Sequence, residues 1–116
     1  MSDMFSVSSE RLDDDLGVVV LSGEVDIFTA PQFKESLLEL LDSGVKRLVV
    51  DLSAVTFIDS TALGVLIGGV RRVNSAGGAM ALVVVSRPVE RVLSITGLDR
   101  VFTIHRTRDE ALQALA

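Results

Sequence analysis

The residues best placed to do chemistry lie together in Phe57-Ile58-Asp59-Ser60-Thr61-Ala62-Leu63-Gly64, where Asp59, Ser60 and Thr61 stand between an apolar run and a helical repeat. Oxygens of Asp, Ser and Thr accept the N–H groups that the first turn of a helix leaves unpaired, so one reading of the cluster is a plain N-cap. The same N–H groups and the positive end of the helix dipole favour a phosphate, so the other reading is a serine that can be esterified without unfolding its host. A phosphoserine at position 60 adds a charge of about −1.5 to −2 and three acceptor oxygens. Beside Asp59, and beside Glu24 and Asp26 if their turn reaches the same end of the sheet, that charge would build a negative patch and obstruct a fitted partner. Repulsion and bulk, rather than refolding, would break the complex. Glu24 and Asp26 also have an ordinary reading as turn acids.

Other chemistries lack their partners. A serine hydrolase needs a base positioned for Ser60, but His105 is the only histidine and no Gly-x-Ser-x-Gly elbow surrounds the serine. A receiver-like domain phosphorylated on Asp59 with Mg²⁺ support is an alternative. Against it, lysine occurs only at Lys34 and Lys46, neither after a late strand, and the acidic triplet Asp13-Asp14-Asp15 precedes a strand instead of following one. A nucleotide or small-ligand module is the other alternative, although Gly77-Gly78 lacks the Lys-Ser/Thr of a phosphate loop and reads as a turn. With no cysteine there is neither a disulfide framework nor a thiolate metal site. No catalytic residue, metal or cofactor is expected.

Charge and composition narrow the partners. Sixteen acidic against eleven basic side chains give a net charge of −5, the wrong sign for tracking a nucleic-acid backbone. The 4% aromatic content, without Trp or Tyr, also removes the stacking platforms of single-strand binders. A basic protein partner fits this balance, as does mere solubility. No basic-then-apolar leader opens the sequence, and the longest apolar stretch, 62–70, is well short of the roughly 20 residues that span a bilayer. A cytoplasmic protein without membrane contact is expected.

The elements that must position Ser60 can be read from periodicity. Phe5 to Ser8 and Gly17 to Leu21 read as strands of an antiparallel hairpin, turning at Asp13-Asp14-Asp15. Thr29-Ala30-Pro31-Gln32 has the form of a capping box and opens a helix that buries Phe33, Leu37, Leu40 and Leu41 and stops at Gly44. Leu48 to Leu52 reads as a buried strand, followed by a loop from Ser53 to Ile58. Leu63, Leu66, Ile67 and Val70 mark a second helix running to about Asn74, in which Gly64 and Gly68 either let the helix sit close to the sheet, the preferred reading, or expose a flat surface to a partner. Arg71 and Arg72 read as cations at its C-terminal end. A strand at Met80 to Val85, a helix between Ser86 and Gly97, a short strand at Val101 to Ile104 and a last helix from the capping box Thr107 to Glu110 complete the chain. This alternation with short connections predicts one α/β domain: a mostly parallel sheet of about five strands, an N-terminal antiparallel hairpin and about four helices.

Three segments carry a family resemblance: Gly23-Glu24-Val25-Asp26 before the first helix, Phe57 to Gly64 before the second, and Ile95-Thr96-Gly97-Leu98 before the last strand. In these the chain resembles the bacterial anti-sigma-factor antagonists, which are STAS-domain proteins. The resemblance implies a single STAS domain over residues 1–116, with about residues 1–4 loose. It implies a partner that is both anti-sigma factor and serine kinase: the unphosphorylated antagonist binds it and frees a sigma factor, phosphorylation releases the antagonist, and a serine phosphatase resets it. Ser60 matches the phosphorylated serine, and Glu24, Asp26, Asp59, Thr61, Ala62 and Gly64 fall on the partner surface. Ala62 departs from the family's usual glycine, which puts the ease of phosphorylation in question.

Overall fold

The computed structural model describes residues 4–116, so the loose terminus expected at about residues 1–4 lies, apart from Met4, outside them. The alternating and helical patterns resolve into β1 (Ser6–Arg11), β2 (Leu16–Val25), α1 (Ala30–Asp42), β3 (Arg47–Ile58), α2 (Ser60–Ser75), β4 (Ala79–Val83), α3 (Arg87–Ile95), a single helical turn (Leu98–Arg100), β5 (Thr103–His105) and α4 (Arg108–Leu115). The sheet runs in the order β1-β2-β3-β4-β5, with β1 antiparallel to β2 and every other pair parallel. Each parallel strand is therefore the spatial neighbour of the one before it. Right-handed crossovers that always step in one direction must leave their helices on one face. Accordingly Phe33 and Leu37 of α1, Leu66 and Val70 of α2, and Val89 and Leu93 of α3 join one large core against Val19, Leu21, Val50 and Leu82. Among the described residues the other face carries only α4, whose Ala111 and Leu115 cover Val18, Val49 and Val83.

The fold is the predicted one, but three local expectations differ. Residues 53–58 are not a loop; they are the second half of β3. Val20 pairs with Asp51 while Ser22 pairs with Ala54, and Gly23 pairs with Val55 while Glu24 pairs with Phe57, so β3 carries an extra residue at each of two places. Such bulges break the two-residue alternation by which strands are recognised. At the first, Asp51 Oδ1 accepts from Ser53 N at 3.0 Å and Ser53 Oγ at 2.6 Å. Beside the second, Gly23 holds φ +83°, and a Cβ there would lie 2.7 Å from the carbonyl oxygen of Met4, so the segment before Glu24 requires glycine.

The two capping boxes fare differently. Thr107 Oγ1 accepts from Glu110 N at 3.2 Å, as its sequence implies. Thr29 precedes α1 but makes no side-chain cap, because its hydroxyl is turned back toward β2. The third difference concerns α2. Gly64 and Gly68 do not bring it close to the sheet, since a Cβ added at either would meet nothing within 4 Å. The close-packed glycine is Gly69, whose added Cβ would lie 2.8 Å from Met80 Cε and 2.9 Å from Leu37 Cδ2.

Candidate functional site

Parallel pairing of β2 with β3 sets Glu24 opposite Phe57 and Val25 opposite Ile58, and Asp59 N donates to Val25 O at 3.2 Å. The strand-to-helix junctions after β2 and β3 therefore lie side by side at the C-terminal edge of the sheet, the edge where α/β folds place their sites. The strand order never reverses, so this edge has no switch-point crevice of the kind that holds nucleotides in doubly wound folds. It presents loops and helix starts.

At the β3–α2 junction the helix is capped by Asp59. Its Oδ1 accepts from Thr61 N at 2.9 Å and Ala62 N at 3.1 Å, and its carbonyl accepts from Leu63 N at 3.0 Å. The N–H groups that a phosphate could have used are thus already engaged by a carboxylate. Ser60 is the first helical residue; its side chain is exposed and its hydroxyl bonds to no described residue. Thr61 is exposed beside it and Gly64 follows one turn later, also exposed. Ala62 was expected on the partner surface, but its methyl belongs to the core at 1% exposure. Its backbone is ordinary helix, since no described residue other than glycine has a positive φ. The alanine therefore costs the turn nothing in conformation.

At the β2–α1 junction Asp26 is the organiser. Its Oδ1 accepts from Phe28 N at 2.9 Å and Thr29 N at 3.1 Å, and lies 3.2 Å from Thr29 Oγ1. The Thr29 hydroxyl in turn accepts from Asp26 N at 2.9 Å and reaches Glu24 O at 3.1 Å. The reading of Asp26 as a turn acid thus has direct geometric content: it holds a four-residue turn closed. The side chains it leaves outside are Ile27, 62% exposed, and Phe28, 83% exposed, and Phe57 on the neighbouring strand is 45% exposed. Large apolar side chains exposed at one edge of the sheet are candidates for a docking surface. Sequence reasoning passed over Ile27 and Phe28 and gave Phe57 no role beyond opening the Ser60 segment. The available signal was two large apolar residues between Asp26 and Thr29 that belong to no periodic element.

The remaining candidates fall elsewhere. His105 ends β5, where its Nε2 is buried without a hydrogen-bond partner among the described residues, and no described base bonds the Ser60 hydroxyl. The perturbed ionisable pair is at the opposite end of the sheet. Arg47 donates to Asp15 at 2.7 Å, which holds the Asp15 carboxyl below its ordinary range and raises the guanidinium. That pair also bonds Leu115 O at 2.8 Å and ties the start of the sheet to α4, a structural role. Among the described residues no group of acids and histidine is placed to hold a metal, and no helix is long and apolar enough to cross a membrane.

Known proteins share this fold. A model of the STAS domain matches residues 8–111. The anti-sigma-B factor antagonist of Bacillus subtilis (strain 168) is 34% identical over 95 residues, which make up 82% of this chain and 86% of that protein. The anti-sigma F factor antagonist of Paenibacillus polymyxa is 33% identical over 99 residues, 84% of this chain and 85% of that one. The crystal structure of an anti-sigma factor antagonist from Mycobacterium paratuberculosis superposes with a TM-score of 0.89 at 31% identity, covering 99% of this chain and 98% of that chain.

Proposed function

The chain belongs to the STAS domain family, and on that premise we propose that it is a cytoplasmic anti-sigma factor antagonist, without catalysis of its own, that is switched by phosphorylation of Ser60. Unphosphorylated, it binds an anti-sigma factor that is also a serine kinase, and so frees a sigma factor; phosphorylated, it is released until a serine phosphatase removes the group. The observation that carries this reading is the contrast within one helix turn. Asp59 already occupies the N–H groups of Thr61 and Ala62, while Ser60 is exposed and its hydroxyl bonds to no described residue. A kinase can reach that oxygen, and the phosphate it adds finds a carboxylate where a bare helix start would have offered donors. The charge therefore sits at the same C-terminal edge of the sheet as the exposed Ile27, Phe28 and Phe57, where an apolar partner surface would have to be desolvated against it.

Binding and release thus divide between two sets of side chains: apolar ones supply affinity, and Ser60, with Asp59 beside it, supplies the veto. Glu24, Asp26, Thr61 and Gly64, from the same two junctions and the first turn of α2, complete the proposed partner surface; Ala62 takes part only by fixing the backbone.

Mass spectrometry of the protein from its native cell should find phosphate on Ser60. In calorimetric titration against the anti-sigma factor kinase, Ser60→Ala should bind as the unmodified protein does, and Ser60→Asp should bind at least about tenfold more weakly. Equal affinities for the two variants, or phosphate found only at other residues, would overturn the switch.

A further inference from the structure

Between α1 and α2 lies a hollow of about 590 Å³, open to solvent and lined mainly by apolar atoms. It exists because α2 presents Gly64 and Gly68 toward it, where an added Cβ would touch nothing, whereas Gly69 closes tightly on Leu37 and Met80 beneath. Leu38, Leu41 and Val65 supply its greasy walls. Two cations border it and they differ in state. Arg72 is ion-paired with Asp42, while Lys34 has no hydrogen bond or ion pair with any described residue, in a chain of net charge −5. Such a volume is that of a small-molecule cleft, and walls of this kind with one placed polar group are how such clefts fix orientation.

We infer that this hollow binds a small amphipathic anion, an apolar-tailed carboxylate whose chain lies along Leu38, Leu41, Val65 and Gly68 and whose head meets Lys34. One unpaired ammonium beside an apolar trough matches one carboxylate on one tail. The trough ends at Thr61, next to Ser60, so an occupant would be adjacent to the modified residue. The inference goes beyond the partner switch and is tested without any kinase, so its failure would leave that switch standing.

Octanoate and 1-octanol are the probes, each titrated into the full isotopically labelled chain with amide shifts followed by NMR. Octanoate should shift Lys34, Leu38, Gly64 and Gly68 saturably, with a dissociation constant on the order of 1 mM or tighter, and octanol should bind at least about fivefold more weakly. Lys34→Gln should remove that preference. Gly68→Leu, whose Cβ would meet nothing within 4 Å, should fill the hollow and abolish binding with the melting temperature retained, and Gly68→Ala should weaken it in the same direction. Shifts that map elsewhere, equal binding of both probes to the unmodified chain, or octanoate affinity untouched by Lys34→Gln and Gly68→Ala would overturn the assignment. So would sedimentation showing a dimer that Gly68→Leu dissolves, because the hollow would then be filled by a second copy.

Discussion

The two junctions at the C-terminal edge begin from similar residues, an aspartate after a parallel strand with a hydroxyl nearby, and end in opposite displays. After β3 the aspartate immediately precedes the helix. Asp59 caps α2 directly, and the hydroxyl that follows it has no partner among the described residues. After β2 the aspartate stands a full turn before the helix. Asp26 closes that turn, the Thr29 hydroxyl is consumed inside it, and an aromatic ring is left outside. The spacing between acid and helix thus decides which group each junction exposes, a hydroxyl after β3 or large apolar side chains after β2. It also explains why Thr29, equally a hydroxyl beside a helix start, is not equally open to a kinase.

If this division holds, the largest effect comes from the apolar side. Phe28→Ala should lower affinity for the anti-sigma factor kinase by about 30-fold or more, the scale of an aromatic hot spot. Its melting temperature should not move, since the ring is 83% exposed and stabilises nothing within the chain. An unchanged dissociation constant would reduce the first junction to scaffolding and end the comparison.

A smaller effect separates shape from charge at Asp26. Asp26→Ala leaves Phe28 N and Thr29 N without their acceptor, which should cost about 1 kcal/mol of stability and, by loosening the turn that holds Phe28, about tenfold in affinity. Asn keeps an oxygen able to accept the same bonds. Asp26→Asn should therefore stay within about threefold of the unmodified chain in calorimetry. If it falls as far as the alanine variant, the partner reads the charge of Asp26 and the turn is incidental.

How much of this was legible depends on whether a feature is periodic. The helical stripes of α1 and α2 and the alternation of β with α carry the architecture in the identities of residues such as Leu37, Leu66 and Val70, because burial of one face is a repeating constraint. Residues 53–58 were misread because two bulges displace the repeat while leaving the strand paired. Thr29 was misread because capping-box spacing does not reveal that an earlier aspartate competes for the same hydroxyl. Gly64 and Gly68 were misread because a missing side chain looks alike in sequence whether it admits a neighbour or leaves a hollow. At the site, Ser60 and Asp59 stood out by residue type, whereas Ile27, Phe28 and Phe57 are defined by exposure, which a residue name does not carry.

The smallest effect tests whether the second junction acts through charge or through bulk. Asn caps helices about as well as Asp, so Asp59→Asn should keep the bonds to Thr61 N and Ala62 N and lose only the charge–dipole part of the cap, about 0.3–1 kcal/mol. Phosphorylating the unmodified chain places a second negative group beside this carboxylate. At a separation of roughly 6 Å and an effective dielectric nearer to water than to protein, that should cost about 1 kcal/mol, or about 3–5 °C in melting temperature, at low ionic strength. The same modification in Asp59→Asn should lose this pairwise cost and leave the melting temperature within about 1 °C. Differential scanning calorimetry of the four species gives both costs. Equal costs would mean that Asp59 and the phosphate do not feel each other, and that phosphorylation displaces the partner by the size of the group alone.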